Sequence, residues 1–296
     1  MKGITKAKIV EQLRDLGVCE GDILFVAADL LRVGYFNKSA DQTLKDWVEI
    51  FDELLGHNGT IVIPTYSPVF LRFFEKYDFI FSKESASNSG SLAKAYLNFA
   101  PGALRGDHPT NSCTSKGYYA KDIASVDGPD FLKYSPYAKV VELEGKNLML
   151  GIVDERNSPF TFHYVQEKLG HTKTHPYSGL LETTYLNKND EKVRYIVKEL
   201  GGCTGGVHKT WGHHLAGNAV KFGTVGRSSS ALVDAKKSAA ILEKVMTKNP
   251  HFIKCNDRNC VSCYGRFRYN GLGVIPFYFK IIPKLLSKLY AKLKNS

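Results

Sequence analysis

The stretch Leu44-Lys45-Asp46-Trp47-Val48-Glu49-Ile50-Phe51-Asp52-Glu53-Leu54-Leu55, followed by Gly56-His57-Asn58-Gly59 and then Thr60-Ile61-Val62-Ile63-Pro64, decides the fold. Apolar residues at 44, 47, 48, 51, 54 and 55 keep the three-and-four spacing of one helix face. Two glycines interrupt the pattern, and a short β-branched run follows that suits a buried strand. The same order stands upstream. Thr5 to Leu16 puts Ile9, Leu13 and Leu16 on one face, Gly17 and Gly21 punctuate, and Ile23 to Val26 is continuously apolar. Two helix–turn–strand units in succession predict an α/β fold, three-layer α/β/α.

Further strands are predicted at 140–143, 147–152, 181–185 and 193–197, and further helices at 91–99, 160–169, 211–220 and 229–248. The turn-rich 187–190 joins two of the strands into an antiparallel hairpin, which predicts a mixed central sheet. A composition shift near Asn249 divides the chain into an α/β domain (1–250), a cysteine-rich knuckle (251–275) and a basic tail (276–296).

The chain has 296 residues, 43% hydrophobic and 23% charged, which excludes a disordered protein. A net charge of +11 favours anionic partners without choosing among them. Six cysteines, three of them within 255–263, do not form a secreted disulfide framework, so a reducing cytoplasm is expected. No run of about 18 apolar residues predicts a membrane span, and no aromatic–basic strand motif points to RNA.

Several residues carry candidate chemistry. His163 and Glu167 stand four apart in Thr161-Phe162-His163-Tyr164-Val165-Gln166-Glu167, on one face if helical. Leu-Gly-Val-x-x-Gly-Asp occupies 16–22, Gly-Thr-x-Val-x-Pro-Thr 59–65, and Arg-x-x-His-Pro-x-x-Ser 105–112. Ser135-Pro136, Leu-Met-Leu-Gly at 148–151 and Thr-x-x-His-x-x-x-Glu follow in order. In this order and spacing, residues 5 to 263 resemble the aminoglycoside 3-N-acetyltransferase family.

The resemblance implies direct acyl transfer from acetyl-CoA to an amine of an amino sugar, with His163 as general base and Glu199 as its carboxylate partner. An imidazole titrating near neutral pH suits removal of an amine proton, and a carboxylate on its other nitrogen fixes the tautomer. Thr65 and Ser112 are candidate hydroxyls for the oxyanion or coenzyme. Arg105 is a candidate for coenzyme phosphate, and Ser89-Gly90 before a helix could present N–H groups to phosphate. Tyr66, Glu167 and His108 are the substrate-side candidates. His108, followed by Pro109, has the alternative role of holding loop geometry. Cys113 raises a ping-pong alternative through an acyl-enzyme. One departure stands out: the family shows a His-Ser-Ser-type tripeptide after its first strand, where this chain has Ala27-Ala28-Asp29.

Cys255-x4-Cys260-x2-Cys263 has the spacing of a structural zinc knuckle, with Cys203 in the glycine-rich 201–206 as candidate fourth ligand and His213, His214 or His251 as alternatives to it; reduced thiols or a disulfide are the plainer reading. In the tail, Lys280, Lys284, Lys288 and Lys292 recur every four residues opposite Ile281, Ile282, Leu285, Leu286, Leu289 and Leu293. That is a basic amphipathic helix, suited to an anionic membrane face or to docking on the protein or a second subunit. The charge and tail favour a surface-polysaccharide amino sugar or glycan intermediate over antibiotic resistance as the role. The competing class is a non-catalytic membrane- or polyanion-binding protein on an inactive acyltransferase-like body.

Overall fold

The computed structural model describes residues 3–263, excepting 74–75, 154–158, 160, 174, 176, 202, 258–259 and 261; in the tail it describes 278–279, 282–283, 286–287 and 290–291. Both opening units form as the sequence predicts. Helix α1 (Lys6–Leu16) starts at Thr5, whose hydroxyl accepts from the Lys8 N–H, and leads to β1 (Ile23–Ala28). After the short α2 (Leu30–Val33), helix α3 (Ala40–Leu55) is capped by Ser39 and leads to β2 (Thr60–Pro64). At Gly59 an added Cβ would lie 2.5 Å from the Leu55 carbonyl oxygen, so the return from α3 into β2 admits no side chain.

The chain continues through β3 (Phe70–Leu71), β4 (Ile80–Phe81), α4 (Ser91–Phe99), β5 (Leu104–Arg105), β6 (Cys113–Gly117), α5 (Ala120–Ser125), α6 (Ser135–Glu142) and β7 (Lys146–Leu150). Then come α7 (Thr161–Lys168), β8 (Leu181–Leu186), β9 (Lys192–Val197), α8 (Trp211–Ala216), β10 (Val220–Val225), β11 (Ser228–Asp234) and α9 (Ala235–Lys248).

The main sheet runs β10-β11-β7-β1-β2-β6-β5. Its centre, β7-β1-β2, is parallel, and both flanks are antiparallel. Alternation along β1 explains the three layers. Leu24 and Val26 enter a core with Ile9, Leu13, Trp47, Phe51 and Tyr96, whereas Ile23 and Phe25 face Ile123, Tyr137 and Val140 on the other side. A strand buried on both faces needs apolar residues at every position, as β1 has.

The sheet is mixed for a reason other than the predicted one. The hairpin β8–β9 pairs Leu181 with Val197 and Tyr185 with Val193, but it belongs to a second small sheet with β3 and β4. The antiparallel edges come instead from β5–β6 and β10–β11. Three element predictions are corrected. Residues 140–143 fall at the end of α6, because Pro136 in the first turn starts a helix that buries Tyr137 and Val140. Residues 229–234 form β11, and α9 begins only where the Asp234 carboxylate accepts from the Lys237 N–H. Helix α8 ends at Ala216, and Val220 opens β10.

Among the described residues no helix is long and apolar enough to cross a membrane. The described tail residues are helical and exposed, Phe279 at 72% and Tyr290 at 70%. The four tail lysines and Ile281, Leu285, Leu289 and Leu293 lie outside the described residues.

Candidate active site

The loop before α6, helix α7 and the segment after β9 meet on the face of the sheet that carries α5 and α6. Helix α7 is fixed at its start by the Asn147 amide, which donates to Thr161 Oγ1 at 2.8 Å between two buried side chains. Phe162 and Val165 anchor the helix in a core with Leu242, Met246 and Ile253. His163, on the next face, is half-buried. Its ring stacks on Tyr134 with centroids 5.1 Å apart and planes 9° from parallel, and its Nδ1 lies 3.2 Å from Gln166 Oε1. Gly201 closes over it so tightly that an added Cβ would be 2.7 Å from both Nδ1 and the Tyr134 hydroxyl.

Beside Tyr134, two carboxylates and one ammonium act on one another. Glu167 is 7% exposed and accepts from the Tyr134 N–H at 3.2 and 3.3 Å; burial and the nearby charge of Glu199 push its carboxyl up to about 7. Glu199 accepts from Thr172 Oγ1 at 2.6 Å. Lys133 is lowered to about 8 by burial, with Glu167 and Glu199 opposing that shift. Glu199 therefore acts through its charge on Lys133, Glu167 and the Tyr195 phenol, which burial and both carboxylates push up to about 12. Lys133 and Tyr195 were not singled out by sequence. Position just before Ser135-Pro136, and a phenol inside the predicted hairpin, were the signals available.

The rival histidine serves a different purpose. His108 is 1% exposed, and its Nδ1 accepts from the backbone N–H groups of Thr110 at 3.2 Å and Asn111 at 3.0 Å. With Nδ1 an acceptor, Nε2 carries the hydrogen and donates to the Tyr195 hydroxyl at 3.2 Å. Burial, with the Lys133 charge, lowers this imidazole to about 3, so it stays neutral. Both ring nitrogens are occupied by the protein, which replaces the expected substrate contact with the loop-holding role.

Three of the expected coenzyme contacts are likewise given another role. Arg105 is 5% exposed. Its Nη1 donates to the Lys83 carbonyl at 3.2 Å and to the Ser85 carbonyl, Nη2 to the Thr65 carbonyl at 2.8 Å, and Nε to Ser112 Oγ at 3.1 Å. A fork engaged on every edge has no N–H left for a phosphate. Thr65 and Ser112 are fully buried and bond each other's backbone, Thr65 Oγ1 to the Ser112 carbonyl at 3.1 Å and Ser112 Oγ to the Thr65 carbonyl at 2.8 Å. Ser89 and Gly90 stand at the N-terminal end of α4, with the Ser89 N–H on Ser87 Oγ at 3.1 Å. Gly90 is exposed, with open space where a side chain would be, at the start of nine-residue α4; Ser89 Oγ accepts from the Tyr66 N–H at 2.8 Å. Tyr66 is half-buried with its hydroxyl on that of Tyr137, and burial raises it. Cys113 is buried, and burial pushes its thiol up, away from the thiolate a nucleophile requires.

A groove of about 930 Å³ runs between the hairpin tip (Tyr185 to Asn189) and the loop of Asp127 and Asp130, with Lys83 and Asp107 on its wall. At Ala27-Ala28-Asp29, the alanines end β1 and the Asp29 carboxylate accepts from the Arg32 N–H at 3.1 Å to cap α2.

A three-layer α/β body with a helix-borne imidazole stacked on Tyr134 defines the class. Comparison with known proteins narrows it: the family model described as aminoglycoside 3-N-acetyltransferase matches residues 25–247, and the chain belongs to that family. It is 28% identical over 177 residues to aminoglycoside N(3)-acetyltransferase III of Acinetobacter baumannii, a match covering 55% of this chain and 60% of that relative's length. Among solved structures, apo aminoglycoside acetyltransferase AAC(3)-IVa superposes with a TM-score of 0.72 at 20% identity, over 91% of this chain and 99% of that one. A variant of that enzyme has been solved in complex with a gentamicin. AAC-IIIb, solved as a binary complex with CoASH, aligns at a TM-score of 0.65 and 21% identity, over 83% and 97% of the two chains.

Proposed function

We propose that the chain is an acetyl-CoA-dependent N-acyltransferase that acetylates an amine of an amino sugar by direct transfer, with His163 as general base. The observation that carries this reading is the setting of His163: held by Gln166 at 3.2 Å and stacked on Tyr134, whose N–H goes to the Glu167 carboxyl. Family membership and the CoASH complex of AAC-IIIb support the donor. The gentamicin complex of AAC(3)-IVa supports an amino-sugar acceptor.

With Gln166 Oε1 accepting from Nδ1–H, Nε2 holds the lone pair that takes the amine proton. The amine nitrogen bonds to the thioester carbonyl carbon, the carbon–sulfur bond breaks, and the proton on His163 passes to the departing thiolate. In this reading the Glu199 charge stabilises the imidazolium formed in between. Gly90 and the first turn of α4 supply N–H groups for a coenzyme phosphate, while the Ser89 N–H is held by Ser87 Oγ at 3.1 Å. The groove at the hairpin tip carries Asp107 and Asp130 beside Lys83 and Lys188, so its lining is not uniformly basic. A polyamine sugar can therefore approach there despite the overall charge of +11.

The test is release of coenzyme thiol from acetyl-CoA with a panel of aminoglycosides and of sugars bearing one amine, for the wild type and His163→Ala. Acceptor-dependent release that disappears in the variant supports the reading. Release that survives moves the base elsewhere, and absence of saturable acetyl-CoA binding overturns the enzyme reading altogether.

A further inference from the structure

Cysteines 203, 255, 260 and 263 come from two segments about fifty residues apart, yet the fold gathers their sulfurs to within 4.8 Å of one another. Cys263 Sγ lies 3.6 Å from Cys255 Sγ. A disulfide needs about 2.05 Å, so this pair is not one. Four thiolates around a tetrahedral ion with metal–sulfur bonds of about 2.3 Å stand about 3.8 Å apart, close to what the cluster already shows. Sulfur-only donors select a soft or borderline ion, and a closed tetrahedral set is that of structural zinc.

The surroundings are built for such a set. The Gly205 N–H donates to Cys203 Sγ at 3.3 Å, the kind of contact that stabilises a coordinating thiolate. The chain after Cys203 lies flat on the knuckle: a Cβ at Gly205 would be 3.0 Å from Cys255 Cβ, and one at Gly206 would be 2.2 Å from the Ile253 carbonyl oxygen. Cys263 is 1% exposed, and Lys209 Nζ donates to the Lys254 carbonyl at 2.7 Å. Ile253, two residues before Cys255, packs in the core that holds Phe162 and Val165 of the helix carrying His163. At the other end of the loop, Gly201 presses on His163 Nδ1.

We propose that Cys203, Cys255, Cys260 and Cys263 bind one zinc ion as a tetrathiolate, and that this ion fixes the 199–206 loop on the face of His163. The metal is structural, since four protein ligands leave no open position for substrate. Its role is to position Gly201 against the imidazole; the positioning role rests on the proposed function, the metal site does not.

Elemental analysis of the full chain after extensive dialysis should find about one zinc per chain, and Co²⁺ exchanged for it should give the visible bands of a tetrahedral cobalt thiolate. Cys260→Ser should lose most of the metal, whereas Cys19→Ser, an exposed cysteine outside the cluster, should keep it. Absence of stoichiometric metal, iron in place of zinc, or equal loss in Cys19→Ser would overturn the site. The positioning role is read by hydrogen exchange, which needs no substrate. Chelation should raise amide exchange across 199–206 at least tenfold while β1 and β2 stay protected, and added Zn²⁺ should restore it. Unchanged exchange in that loop after zinc removal overturns the clamp, and exchange rising equally in β1 and β2 shows global unfolding and overturns it too. An enzyme inactive on every acceptor, but zinc-bound with a zinc-dependent loop, would leave this site standing and refute the proposed function alone.

Discussion

The chain sets two histidines about fifty residues apart in sequence into opposite situations. His108 is enclosed, both ring nitrogens are bonded to the protein, and burial keeps it uncharged. His163 is half-buried on a helix, with an amide at Nδ1 and its ring stacked on Tyr134. The first arrangement stabilises one tautomer of a neutral ring and so fixes a loop. The second sets the ring on a half-buried helix face, stacked on an aromatic side chain. Tyr195 joins the two, since its hydroxyl meets His108 while its phenol feels Glu167 and Glu199.

The largest effect that tests this contrast is on turnover. His163→Ala should reduce acetyl transfer by roughly 100- to 10,000-fold without loss of stability. His108→Ala should instead lower stability by about 1–3 kcal/mol, leaving the Thr110 and Asn111 N–H groups unpaired. Steady-state kinetics beside chemical denaturation separates the two, and an exchange of these outcomes between the residues would break the comparison.

Arg105 extends the enclosed region. Arg105→Met should cost about 3 kcal/mol, because the Thr65, Lys83 and Ser85 carbonyls lose their donor together. The KM for acetyl-CoA of the remaining folded enzyme should stay within about twofold, so a selective rise in that KM would return Arg105 to the coenzyme.

Glu167 sharpens the charged region through pH. Its folded carboxyl, near 7, holds a proton that the unfolded chain releases from its ordinary value of 4.5 upward. Stability should therefore fall as pH rises between 4.5 and 7, by about 3 kcal/mol in all. Glu167→Gln should flatten that decline in urea melts taken across the window, and a variant with the wild-type slope would sink the assignment. The smallest effect is at Gly201, where an alanine Cβ would meet His163 Nδ1 at 2.7 Å. Gly201→Ala should lower kcat/KM by about tenfold with little change in melting temperature, since the loop can recede from the ring.

How far the sequence could be read depended on how local the determinant was. The helix face of 44–55 and the glycine-broken passage to Thr60-Ile61-Val62 depend on neighbours in the chain, and both opening units formed as predicted. Strand β6 went unseen because Cys113-Thr114-Ser115 is polar yet buried against β2, and only the tertiary pairing makes it a strand. Residues 229–234 were given to the following helix because the boundary rests on one capping carboxylate, Asp234. Arg105 and Ser112 belong to a motif that reads equally well as a phosphate contact or a buried tie. Residue type does not reveal whether a donor points at solvent or at a carbonyl forty residues away.

Sequence alone determined the α/β class, the order of motifs that marks the family, the candidate base His163 and the cysteines of the knuckle, because each is written in residue type and short-range spacing. Tertiary structure decided which histidine is enclosed, that Lys133, Glu167 and Glu199 share one pocket, and that Cys203 joins three cysteines some fifty residues away. These are outcomes of burial and through-space distance, which fix charge, donor geometry and reactivity only once the chain has closed on itself.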